Sequence, residues 1–117
     1  MPSYTAVTAG YVAPAVVALT DAATIAVDAA LGNDFRVTIG ASRTMASPTQ
    51  GTDGQRITFQ ITQGGGGSFL VTWGNTYSFG AAGAPVLSTA AGVTDLIGFV
   101  YNATLSRWLC AGYALGF

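Results

Sequence analysis

The chain has 117 residues, half of them hydrophobic and only 8% charged, with a formal net charge of −1. Its charges are four arginines and five aspartates with no Lys, Glu or His, which removes the basic footprint of a nucleic-acid binder and argues against surface helices, for which Lys and Glu are strong formers. One cysteine excludes an intrachain disulfide framework, and the length suits one domain that buries roughly 65% of its unfolded surface.

In chain order, residues 1–14 are uncharged and interrupted by Pro2, Gly10 and Pro14, so they read as an extended N-terminal arm. No positively charged region opens them as it would a signal peptide. The longest apolar run, Tyr11 to Leu19, contains Pro14 and is far shorter than the ~20 residues of a membrane helix. A single β-domain is expected over residues 15–117. Although Ala15 to Gly32 is alanine-rich, its β-branched residues Val16, Val17, Thr24, Ile25 and Val27 favour two short strands, Ala15 to Leu19 and Thr24 to Val27. Thr20 and Asp21 supply the turn between them.

Gly32 to Asp34 reads as a turn into a strand in which Phe35, Val37 and Ile39 alternate with Arg36 and Thr38. A short strand over Ser42 to Ala46 and a loop over Ser47 to Gly54 follow. Gln55 to Trp73 has the strongest pattern. Ile57, Phe59 and Ile61 fall on one face, Arg56, Thr58, Gln60 and Thr62 on the other, and Phe69, Val71 and Trp73 repeat the apolar stripe with Leu70 and Thr72 opposite. Two such arms around Gly64 to Ser68 predict a β-hairpin with a mobile loop.

Tyr77 to Phe79 and Val86 to Thr89 are expected as further short strands, on either side of the loop from Gly80 to Pro85. Thr94 to Tyr101 carries apolar residues on both faces, Leu96 and Val100 on one and Ile97, Phe99 and Tyr101 on the other. That pattern marks a central strand or a subunit interface. Asn102 to Ser106 makes a turn into the last strand, Arg107 to Tyr113, where Cys110 reads as a buried, inert thiol. Short strands at this spacing predict an all-β fold, an antiparallel β-sandwich of jelly-roll type. No internal repeat of fixed period is visible.

Candidate chemistry is sparse. Without His, Lys or Glu, nucleophile–base pairs lack their usual base, and metal sites lack imidazole and paired thiolates. The residues point to no catalytic group, no metal site and no cofactor, so the chain is read as a non-enzyme. Asp21, Asp34, Asp53 and Asp95 stand beside turns, where their side chains bond backbone N–H groups. Trp73, Tyr77, Phe79, Tyr101 and Trp108 suggest a sugar-stacking surface, but Trp73 and Trp108 lie on strands with apolar neighbours and are read first as core or interface packing. Asn102-Ala103-Thr104 matches the glycosylation acceptor pattern, a weak signal without a signal peptide.

Several blocks together carry a resemblance: GNDFRVTI (Gly32 to Ile39), Arg43-Thr44, Ser47 to Thr49, TDGQRITFQITQ (Thr52 to Gln63), VTWG (Val71 to Gly74), LSTAAGVTDLIGFVYNATLSRWLCAG (Leu87 to Gly112) and LGF (Leu115 to Phe117). In their order they resemble a module of tailed-bacteriophage virion proteins, found as capsid-decoration or head-fibre proteins and in minor tail proteins. The resemblance covers Asp21 to Phe117 and departs at Gly64 to Gly67. It implies a β-rich virion component, commonly trimeric, with no cofactor. A short chain without a shaft or attachment domain favours decoration of the outer capsid, assembled in the host bacterial cytoplasm. The expected partners are further copies of the chain and the phage major capsid protein, with no nucleic acid and no membrane. Pro2, Tyr4, Val7, Tyr11 and Val12 on the arm are the capsid-contact candidates, and Leu96, Ile97, Phe99, Tyr101 and Trp108 the subunit-interface candidates. The alternative is a tail or head-fibre module that recognises a host-surface glycan.

Overall fold

The structure, a computed structural model, describes residues 15–117. The arm and its five capsid-contact candidates therefore lie outside the described residues.

Apolar–polar alternation decides which side of each strand turns inward. In β3 (Asp34–Ile39) Phe35, Val37 and Ile39 are buried while Arg36 and Thr38 are exposed. In β5 (Arg56–Gln63) Ile57, Phe59, Ile61 and Gln63 are buried. These two strands join β1 (Val16–Ala18), β7 (Tyr77–Ser78), β8 (Thr94–Asn102) and β9 (Arg107–Ala114) in a six-stranded sheet of order β1-β3-β5-β8-β9-β7. A smaller sheet of order β2-β4-β6 is built from β2 (Thr24–Ile25), β4 (Arg43–Met45) and β6 (Val71–Trp73). The sheets share one core, with Ile25 and Met45 of the smaller sheet as fully buried as Phe35, Ile39 and Phe59 of the larger. Phe59 lies at its centre, with ring centroids 5.8 Å from Phe35 and Phe99 and 5.9 Å from Trp73 and Tyr77.

The chain alternates between the two sheets from β1 to β6. Consequently β1, β3 and β5 are mutually parallel, and so are β2, β4 and β6. The first 59 described residues thus form a parallel coil of three turns, in which the crossover demanded by parallel pairing is a strand of the opposite sheet. In register, Val17, Phe35 and Phe59 stack along one wall and Ile25, Met45 and Trp73 along the other. A parallel bridge between Asp28 and Thr49 marks a third side. β8 then pairs antiparallel with β5 and β9 antiparallel with β8, which covers the last turn.

The all-β expectation holds, and most strands fall where their alternation places them. Strand pairing differs. The arms of Gln55 to Trp73 are not a hairpin: β5 pairs with β3 on one edge and β8 on the other, which leaves no edge for β6. β6 crosses to the smaller sheet and pairs with β4. In place of the antiparallel pairing of a jelly roll, only the β5–β8–β9 portion is antiparallel. Val86 to Thr89 forms no strand.

Gly64 to Gly67 is a packed corner of the coil. The Gly64 N–H donates to the Ile39 carbonyl at 2.8 Å, and a Cβ on Gly64 would lie 2.5 Å from that oxygen. Gly67 is buried with φ +61°, and a Cβ there would collide with the Thr89 carbonyl. Both positions require glycine, one for close approach and one for left-handed backbone.

Candidate interaction surfaces

The inward face takes up most of the chemistry-bearing side chains. Trp108 and Tyr77 are buried, and Trp73, Phe79 and Phe99 complete a cluster of edge-on and tilted rings around Phe59. The Tyr77 hydroxyl donates to the Ala46 carbonyl at 2.8 Å, and burial pushes its pKa upward. Tyr101 stacks on Trp108 at 4.6 Å. This arrangement matches the packing role for the aromatics, and Trp73, Phe79 and Tyr101 keep only partly exposed faces.

Among the five interface candidates, Ile97, Phe99 and Trp108 are 0%, 1% and 1% exposed, inside the chain's own core. They therefore have no surface to offer a second subunit. Leu96 and Tyr101 are half-buried. Cys110 is also half-buried, packed against the core rather than enclosed by it.

Each aspartate is engaged in structural hydrogen bonds or an ion pair. Asp21 accepts from Arg43 Nε at 2.8 Å and Nη2 at 2.9 Å, and from the Gly40 N–H at 3.0 Å. The Arg43 hydrogen bonds hold its carboxyl below the usual carboxylate range. Asp28 accepts from the Ala30 N–H and Asp53 from the Ala103 N–H. Asp34 pairs with Arg36 at 2.8 Å. Asp95 is 2% exposed and accepts from the Ser88 and Gly116 N–H groups, tying a loop and the C-terminal tail to β8. Among the described residues no cluster of three or more His, Cys, Asp or Glu could hold a metal ion. No described helix is long and apolar enough to cross a membrane.

One residue escaped the sequence reading. Gln63 ends β5 on its inward face, 3% exposed, and its amide spans the glycine corner. Its Nε2 donates to the Phe69 carbonyl at 2.8 Å and its Oε1 accepts from the Phe69 N–H at 3.1 Å. The signal was its odd-numbered position in phase with Ile57, Phe59 and Ile61, which places a polar side chain where only a satisfied one is tolerated.

Among the described residues, one surface open to contact is the outward face of the larger sheet. Register places Ala18, Arg36, Gln60, Leu96 and Ala114 in one row across it, and Val16, Asp34, Thr58, Gly98 and Gly112 in the next. On it Arg36 pairs with Asp34, and Gln60 also donates to Asp34 at 3.3 Å. Thr62 and Thr94 share a hydroxyl hydrogen bond at 2.7 Å. Beside them Phe117, 71% exposed, exchanges two 2.9 Å backbone hydrogen bonds with Thr94 and lines a shallow depression with Gln60 and Leu96. The face thus combines small, hydroxyl and aliphatic side chains with the Arg36–Asp34 pair and the exposed Arg56.

No protein-family model matches this chain, and neither the curated proteins nor the solved structures contain a match to it.

Proposed function

We propose that this protein is a bacteriophage structural component, a capsid-decoration protein that binds the outer surface of the shell, as a homotrimer, and stabilises it through contacts with the major capsid protein. The outward face of the larger sheet carries this reading. Its small and hydroxyl residues, with an apolar corner at Leu96 and Phe117, fit closely against another protein surface. The resemblance of the Asp21 to Phe117 blocks to virion modules supports the same class. Binding to the assembled shell but not to its dissociated subunits stabilises the shell by mass action, without chemistry.

The test is labelling of the protein in intact virions together with binding of the purified protein to capsids stripped of it. Many copies spread over the head, and loss of binding in a folded Leu96→Arg variant, are the expected results. A few copies at the tail tip would replace this reading with adsorption to a host glycan, and absence from the virion would overturn both.

A further inference from the structure

Every carboxylate side chain of this protein lies among the described residues, and none of the five meets Arg56 or Arg107. Asp21 pairs with Arg43 and Asp34 with Arg36, the two ion pairs among the described residues. Asp95 is buried and holds the Ser88 and Gly116 N–H groups, while Asp28 and Asp53 hold those of Ala30 and Ala103. The chain has no glutamate, and residues 1–14 carry no charged side chain. Arg56 and Arg107 are both exposed. They are cations whose carboxylate partners the chain itself does not supply.

Sheet register brings the two arginines to one end of the outward face. Arg56, Val100 and Leu109 stand opposite one another on β5, β8 and β9, and Asn102 stands opposite Arg107 one pleat further along. Alternation turns all five away from the core, since their neighbours Ile57, Phe99 and Trp108 are buried. β5 and β9 are two strand spacings apart, so the arginines frame Val100 and Leu109 at about 10 Å across the sheet and about 7 Å along it. The apolar corner of Leu96 and Phe117 lies toward the opposite end of β8. Tyr101 and Trp108, the aromatic residues of the arginine end, face inward and stack on each other, which leaves a glycan no ring to stack on there. A second copy of the chain offers only Asp28 and Asp53, each already holding a backbone N–H group.

We propose that Arg56 and Arg107 dock this end of the sheet onto a different protein whose surface presents carboxylates, one to each guanidinium, with Val100 and Leu109 packed between the two contacts. The proposal rests on the reading of the outward face as the one that meets the shell, and it specifies an acidic patch on the major capsid protein as the partner. Arginine suits the task, because its planar fork of N–H donors pairs bidentately with a carboxylate and keeps its charge at any working pH. Two such contacts fix the orientation of the sheet on the partner, while the aliphatic side chains between them exclude water.

The experiment measures binding of the full chain to capsids stripped of it, beside the double variant Arg56→Gln/Arg107→Gln, over a range of salt. Both side chains are exposed, so the variant keeps the fold, which its urea midpoint checks. Expected is binding at least about tenfold weaker in the variant at low salt, and convergence of the two chains near about 1 M salt, where the screening length is about 3 Å. Equal binding at every salt concentration, or a loss that high salt does not diminish, would overturn this proposal and leave the capsid reading standing. A parent chain that does not bind capsids would overturn both. Arginine-dependent association of the free protein with itself, or arginine-dependent binding to an anionic polysaccharide in place of capsids, would assign the pair to another occupant and overturn the proposal as well.

Discussion

Replacing Gln63 with leucine tests whether the glycine corner is held by one buried amide. The substitution keeps much of the side-chain volume and removes both hydrogen bonds to Phe69, at 2.8 and 3.1 Å. Each neutral bond contributes about 1 kcal/mol net, and leaving a partly buried backbone donor and acceptor unpaired adds about 1–3 kcal/mol. The expected loss is therefore about 3–5 kcal/mol, or a fall in Tm of roughly 12–25 °C for a domain near 100 residues. Urea denaturation followed by tryptophan fluorescence measures it, because Trp73 and Trp108 both pack in the core. Gln60→Leu is the control from the outward face of the same strand. Its bonds to Asp34 are 3.3 and 3.5 Å long and solvent-facing, so its cost should stay within about 0.5 kcal/mol. If Gln63→Leu and Gln60→Leu denature at the same urea concentration, the corner is not held by Gln63 and the reasoning fails.

Four other substitutions follow from the same structure. Gly65→Ala, in open space, should be neutral or stabilise by up to about 1 kcal/mol, whereas Gly67→Ala should destabilise by about 2–3 kcal/mol through its positive φ and the collision with Thr89; similar midpoints for the two in chemical denaturation would contradict a packed corner. Asp21, whose pKa is lowered in the fold by Arg43, contributes stability above the unfolded Asp pKa of about 3.9 and loses it as pH falls through the folded value. Asp21→Asn should accordingly lower Tm at neutral pH and converge with the parent in strong acid, and a difference that persists undiminished there would show that the carboxylate charge is not responsible. Phe59→Ala, at the centre of the ring cluster, should cost about 3–5 kcal/mol by calorimetry or urea titration, and a cost below about 1 kcal/mol would mean that the core is not organised around it.

Much of the candidate surface could be read before any fold was known. The outward placement of Arg56, Thr58, Gln60 and Thr62 follows from alternation, and those residues form part of the contact face. The interface reading of Ile97, Phe99 and Trp108 could not be decided the same way. A strand apolar on both faces looks alike whether its second face meets a layer of the same chain or of another. Burial settles that the inward face of β8 belongs to the chain's own core, which leaves Leu96 and Val100 on its outward face, Leu96 beside Phe117. The aspartates were legible as turn-bonding groups at Asp21, Asp53 and Asp95, but their bonding partners stand 7 to 50 residues away along the chain, beyond the reach of local pattern.

By itself the amino-acid order determined the class of secondary structure, the span of nearly every strand and the face each turns inward, because period-two alternation and β-branched composition act within a few residues. Which strands pair was decided only by tertiary structure. Alternation reports a face and never a neighbour, so Gln55 to Trp73 reads equally well as a hairpin or as two successive walls of a coil. The coil also hides its own repeat: Val17, Phe35 and Phe59 are stacked in register but spaced by 18 and 24 residues, since corners of different length are tolerated as long as the walls align. The outcome turned on edges. With β3 and β8 on either side of β5, the chain beyond the glycines had to find its hydrogen bonds in the opposite sheet.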